Sequence, residues 1–244
     1  MKLRLVHETH YTYDSPVRFS TQYLRLTPRD TARKKVLEWK LQTPGQAVST
    51  HDGYGNVLHV LTLDKSFAEI RIQAAGTVET APSVDEPSDF TGVSLSPLLF
   101  LRITELTRAD AKLAALAESH RRRAGTLSGL RELAAAAHQK APGAPAETLA
   151  HSFIACCRLL GVPARYVSGF FYSRGNAQVA GHAWAEAWVV DRWRSFDVAH
   201  DHTIGEAHIK VAVGADSSDA CPIRGVRVGG GTETMQAQSN VQAQ

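Results

Sequence analysis

The chain is poor in cysteine: three in 244 residues, two of them adjacent, with no Cys-x-x-Cys pair and no Cys/His spacing suited to zinc. That argues against a disulfide framework and against a structural zinc site. It also lacks a charge excess, with 27 basic residues against 24 acidic, so neither nucleic acid nor a membrane surface is expected as a partner. No segment approaches the roughly eighteen apolar residues of a membrane span. The opening MKLRLVHETHYTYDS alternates like a first strand and holds no apolar stretch long enough for a signal peptide. A cytoplasmic protein is expected. Arg121, Arg122 and Arg123 form the one short basic run and read as a solvated helix end.

What is present divides into two parts. Residues 1–82 read as strand throughout: Lys2 to Tyr13, a turn at Ser15-Pro16, then Phe19 to Thr27, Val36 to Thr43, Val57 to Leu63 and Phe67 to Thr80. Short strands with turn signals at regular spacing predict an antiparallel β-sandwich. Residues 83–96, rich in Pro, Ser, Asp and Glu, read as a linker. Residues 97–244 read as a second domain. Its first helix is expected from Thr107, as cap with Asp110 as its box partner, to about Arg123, and a second from Ser128 to Gln139. A third is expected from Glu147 to Leu160, stopped by Gly161-Val162-Pro163. Strands are expected at 164–172, 182–190 and 193–197, then at 209–213, 223–228 and, weakly, 232–241. The fold class is α+β: a β-sandwich followed by helices packed on an antiparallel sheet.

The chemistry gathers on the hairpin His182-Ala183-Trp184-Ala185-Glu186-Ala187-Trp188-Val189-Val190 and Trp193-Arg194-Ser195-Phe196-Asp197. A register centred on the Val189–Val190 bond opposes His182 and Asp197; a centre one or two residues later makes them diagonal neighbours. Opposed side chains sit about 5 Å apart at Cβ and diagonal ones about 7–8 Å, so both registers allow contact. A carboxylate beside an imidazole holds one tautomer and makes the other nitrogen more basic. Such a pair is a base and its orienter, and it needs a nucleophile on a facing element. A satisfied structural pair is the plainer alternative. Trp184, two residues from His182 on the same face, reads as sheet packing or as a wall of the site.

Several motifs then carry a resemblance. Ala155-Cys156-Cys157-Arg158-Leu159-Leu160-Gly161-Val162-Pro163-Ala164-Arg165-Tyr166, and Gly181-His182-Ala183-Trp184-Ala185-Glu186 with the strand to Asp197, resemble the central block of bacterial transglutaminase-like proteins. That superfamily also holds predicted cysteine proteases. Tyr11-x-Tyr13, Leu24 to Arg29 and Asp52-x-x-Gly55-Asn56 resemble its β-rich N-terminal domain, and Asp219 to Gly225 its closing segment. The resemblance implies a papain-like Cys-His-Asp site for acyl transfer from an amide, to water or to an amine, with no cofactor and no metal. The family His falls on His182 and the family Asp on Asp197. Its Cys belongs at the start of the central helix, in a segment usually reading Gly-Val-Cys-Gln-Asp-x-Ala-His. Anchored on Ala150-His151, that segment is Ala144 to His151 here, and the nucleophile position is Ala146.

A methyl group cannot attack a carbonyl. The neighbours differ too (Pro145, Glu147 and Thr148), which points to natural loss of the site. Cys157 lies about 16 Å further along the helix and Cys156 about 15 Å, whereas proton transfer needs about 3 Å. Thr148 in the first turn reads as a backbone-bonded residue rather than a nucleophile. Cys221 matches an ordinary apolar family position. Glu147 is a candidate for capping the helix or pairing with the His182 imidazolium. His200, Asp201 and His202 read as loop residues rather than metal ligands.

Three classes of function follow. In the leading one, the groove over His182, Asp197 and Trp184 holds a peptide, a protein segment or an amine without cleaving it. The second is an active hydrolase or transferase with an unorthodox nucleophile. The third is an assembly subunit that associates with a catalytic paralogue or with a second copy of itself.

Overall fold

The computed structural model describes residues 1–81, 95–173, 181–200, 202–203 and 205–244. All but the last two residues of the expected linker lie outside them. No helix among the described residues is long and apolar enough to cross a membrane.

The N-terminal sheet is built on one strand. β1 (Lys2–Leu24) runs for 23 residues and buries alternate side chains, Leu3 and Leu5 among them. The break expected at Ser15-Pro16 is absent. Pro16 sits where the register toward one neighbouring strand slips, between Thr12 and Val17, just before a second slip toward another neighbour between Val17 and Phe19. Such irregularities tolerate a residue with no N–H and let the strand bend on through. β2 (Lys34–Gln42), β3 (Ala47–His51), β4 (Val57–Leu63) and β5 (Phe67–Thr80) complete the local strands. The first half of β1 pairs with β5 and the second half with β4, so a single curled sheet faces itself across a core of Leu24, Leu26, Leu61, Ile70 and Ile72.

After a short 3-10 turn at Pro97–Leu101 come α1 (Ala111–His120), α2 (Leu127–Lys140) and α3 (Ala146–Leu159). α1 starts later than expected because Asp110, not Thr107, is its cap, accepting from the Leu113 N–H at 2.8 Å. Thr107 closes a separate 3-10 turn with Thr104. The helices pack on a five-stranded antiparallel sheet: β6 (Ala164–Phe171), β7 (His182–Val189), β8 (Arg192–Asp197), β9 (His202–Thr203) and β10 (His208–Gly214), in the order β10-β6-β7-β8-β9. α3 is buried along most of its length. Its Arg158 guanidinium donates to the carbonyls of Phe100, Ala164 and Ala215 and to Thr107 Oγ1, tying four segments to one helix.

β11 (Ile223–Gly229) and β12 (Glu233–Ala243) correct the expected domain division. They leave the core and pair with β1, which brings the N-terminal sheet to seven strands. The return is made through Gly229, Gly230 and Gly231, with φ of 86°, 95° and 59°, a left-handed stretch open to glycine. The two sheets meet through Leu3, Leu5, Val78 and Val241 on one side and Phe170, Ile209 and Val211 on the other. Asn56, from the Asp52-x-x-Gly55-Asn56 turn, adds a paired contact: its amide donates to the Val213 carbonyl at 2.7 Å and accepts the Val213 N–H at 2.8 Å.

His7 of β1 is buried near this junction, bonded through Nδ1 to Ser239 Oγ at 2.8 Å and through Nε2 to Thr9 Oγ1 at 3.0 Å. Burial pushes its pKa down to about 4, below the 6.5 of an exposed imidazole. The unfolded chain therefore binds this proton more readily. Stability is full above about pH 6.5 and falls, by at most about 3 kcal/mol, as pH drops toward 4. Denaturant melts of wild type and His7→Gln should show a gap in unfolding free energy at pH 7 that narrows by pH 4. A gap independent of pH would mean that His7 does not titrate on unfolding.

Candidate active site

The β7–β8 hairpin sets the site. Its connection is two residues, Val190 and Asp191, with φ of 53° and 58°, the left-handed pair that suits the twist of a hairpin. A β-branched residue rarely adopts it, and no Asn-Gly or Asp-Gly signal marks the turn. The register pairs Val189 with Arg192 and Ala185 with Phe196. Continued by one step, it sets Asp197 across from Trp184 and diagonal to His182, so the centre one residue later, at Val190–Asp191, is the one adopted.

Asp197 is buried, and one of its oxygens carries most of the site. Oδ2 lies 2.8 Å from His182 Nε2, 2.9 Å from His208 Nε2 and 2.9 Å from His200 Nδ1. Oδ1 accepts the backbone N–H groups of Ala199 and His200 at 3.2 and 3.4 Å. Burial alone would raise the carboxyl; the hydrogen bonds from His182, His208 and His200 outweigh it and hold the group well below the usual carboxylate range. Burial pushes His208 the other way, keeping it neutral near pH 7 against the pull of Asp197. The Phe171 ring packs on all three imidazoles, with centroids 4.8 Å from His200, 4.7 Å from His208 and 5.6 Å from His182.

Facing this cluster is the start of α3. Ala146 is its first residue, behind Pro145 at the N-cap. Ala146, Glu147 and His182 line one cleft of about 460 Å³. Its floor is Ser168 and Gly169 of β6, and a further wall comes from His7, Thr9 and Tyr11 of β1. The cleft thus lies where the two sheets meet. Since His182 spends Nε2 on Asp197, proton exchange with a group in the cleft would run through Nδ1.

The remaining expected residues divide. Glu147 lines the cleft but forms no ion pair with His182 among the described contacts; its charge acts on His151 and Tyr166. Thr148 is exposed and does not line the cleft. Trp184 is buried behind the site, 6.0 Å from His182 and edge-on to His208 at 5.4 Å, and packs the cluster rather than walling the cleft. Gly169 permits this: a Cβ there would meet the Ile209 carbonyl oxygen at 2.2 Å and the Trp184 ring at 2.7 Å. His200 turns to Asp197, while Asp201 and the His202 side chain lie outside the described residues.

Sequence reasoning missed His208, which opens β10 with no motif around it, and Phe171, which looked like ordinary strand filling. It also missed where the last cysteine goes. Cys221 lines the cleft, whereas Cys156 and Cys157 are buried in α3. Burial pushes the Cys156 thiol up to about 11 and the Cys157 thiol well above its ordinary value, which makes both inert. Iodoacetamide at pH 7.5 should therefore modify Cys221 first and the helix pair only after denaturant is added. Rapid native-state modification of Cys156 or Cys157, read by peptide mass mapping, would contradict the packing of α3.

Comparison with known proteins agrees with this geometry at the level of the family. Residues 3–79 match the bacterial transglutaminase-like N-terminal region, and residues 104–198 match the transglutaminase-like superfamily. An uncharacterized protein of Mycobacterium leprae is 28% identical over 94% of both chains. Another, from Mycobacterium tuberculosis, is 26% identical over 92% of this chain and 87% of its own. Among solved structures, the crystal structure titled "Putative Cysteine Protease from Cytophaga hutchinsonii" shares the fold with a TM-score of 0.76, covering 100% of this chain and 91% of its own at 18% identity. Matched in both its N-terminal sheet and its helical core, the chain belongs to the bacterial transglutaminase-like superfamily.

Proposed function

We propose that this is a transglutaminase-like protein whose Cys-His-Asp site has lost its nucleophile, and that its cleft binds a peptide or protein segment without cleaving it. The observation that carries the reading is Ala146 at the first position of α3, in the same cleft as His182. Free N–H groups and the helix dipole at that point would favour a thiolate, but a methyl group has neither a lone pair nor a proton to give. The Asp197–His182 pair then has no thiol to deprotonate. Binding needs no thiol, and about 460 Å³ lies within the usual range of ligand sites. Apolar side chains such as Met235 and Ile223, with polar groups such as Ser168 and Glu147, give the cleft the mixed lining a peptide requires. Three free cysteines favour a reducing compartment such as the cytoplasm.

The test is Ala146→Cys assayed on peptide amides. Wild type should turn over no faster than His182→Ala, Ala146→Cys should gain hydrolysis or transfer to an amine, and the gain should vanish in Ala146→Cys/His182→Ala. Wild-type turnover that disappears on His182→Ala would overturn the reading. One observation favours a second reading, an active enzyme: Cys221 shares the cleft. In that case wild-type turnover would be lost in Cys221→Ser as well.

A further inference from the structure

Three imidazoles converge on one carboxylate oxygen, Asp197 Oδ2. Their nitrogens lie within 2.9 Å of it, and a carboxylate oxygen offers about two lone-pair sites. His208 has a fixed part in this. Its Nδ1 accepts the Gly205 N–H at 3.4 Å, so its Nε2 carries the proton and donates to Asp197. The other two are not constrained in that way. One ring nitrogen each of His182 and His200 and an Asp197 oxygen lie within 4.8 Å of one another.

We propose that His182 Nε2, Asp197 Oδ2 and His200 Nδ1 are the three protein ligands of a divalent transition-metal site, with zinc as the first candidate. Two imidazoles and a carboxylate form a donor set of intermediate softness, suited to Zn²⁺, Co²⁺ or Fe²⁺ with positions left open to water. Ligands about 2.0–2.2 Å from such a metal stand some 3 Å apart when neighbouring. The present separations of 2.8 and 2.9 Å from Oδ2 need small outward shifts, and the two imidazole nitrogens, within 4.8 Å of each other, draw together around the ion. The surroundings match those of a ligating carboxylate: Ala199 and His200 N–H groups hold Oδ1, and His208 donates to the ligating oxygen from behind. Phe171 covers the imidazoles with an apolar ring. Entry is open because the His200 side chain is 41% exposed and His182 lines the cleft.

This goes beyond the binding function proposed above and holds whether or not a peptide enters the cleft. It does connect with Ala146. In a working Cys-His-Asp site, a cation bridging His and Asp would block the proton transfer on which the thiol depends. With a methyl group at position 146, it blocks nothing.

The experiment uses the full chain without a histidine tag, stripped with chelator and titrated with Zn²⁺ by calorimetry and with Co²⁺ by visible absorption. One equivalent should bind with release of protons, because the ligands must be unprotonated, and Co²⁺ should show d–d bands. His200→Ala, checked by circular dichroism for an intact fold, should abolish saturable binding. His208→Gln should weaken it about 10–100-fold, and His51→Ala on exposed β3 should change nothing. In Ala146→Cys, one equivalent of Zn²⁺ should suppress any restored amide turnover, reversibly with chelator. No saturable binding of either ion, or one equivalent bound undiminished in His200→Ala, would overturn the proposal. Either result would leave the Ala146→Cys activity assay, and the reading it tests, standing separately.

Discussion

A single buried carboxylate organises the functional half of this molecule. Asp197 ends β8, and through one oxygen it positions side chains from β7, from β10 and from the loop that follows it. Its charge survives burial only because donors surround it, since an unpaired buried carboxylate would neutralise or unfold the site. The arrangement in turn requires the Val190–Asp191 turn, which sets the diagonal register, and Gly169, whose missing side chain lets Trp184 close the back of the cluster. On the reading proposed above, the orienting half of an acyl-transfer site is retained and the attacking half is a methyl group.

The position of the cleft explains why the N-terminal sheet accompanies the core. His7, Thr9 and Tyr11 of β1 form one wall, Ser168 and Gly169 of β6 the floor, and α3 the rim. The apolar contact of Leu3, Leu5 and Val241 with Phe170 and Ile209, together with the Asn56–Val213 bonds, holds these parts in register. The C-terminal strands reinforce the same arrangement. By returning to β1, β11 and β12 carry Ile223 and Met235 to the cleft and anchor the chain that follows Cys221. A ligand in this cleft would therefore touch all three parts of the sequence.

Much of this was legible before the structure. Strict alternation from His182 to Val190 announced β7, the Gly161-Val162-Pro163 stop ended α3, and motif spacing set Ala146 at the start of that helix. What was not legible depended on partners distant in sequence. Ser15-Pro16 reads locally as a turn, and only pairing on both sides lets β1 run through it. Residues 223–243 carry no mark of the sheet they join, because the polar alternation of β12 fits any half-exposed strand. Val190 gives no warning of a left-handed turn. His208 and Cys221 sit in ordinary surroundings in the sequence, and only folding brings one to Asp197 and the other to the cleft.

The central claim is that nothing attached to this chain attacks a carbonyl presented to His182. Intact-mass spectrometry after incubation with a peptide bearing an activated acyl ester tests it most directly, because an acyl adduct accumulates even where turnover is slow. The account predicts that over hours at pH 7.5 the wild-type protein gains no more adduct than the His182→Ala variant does. A stoichiometric adduct on one residue, absent when His182 is replaced by alanine, would contradict it.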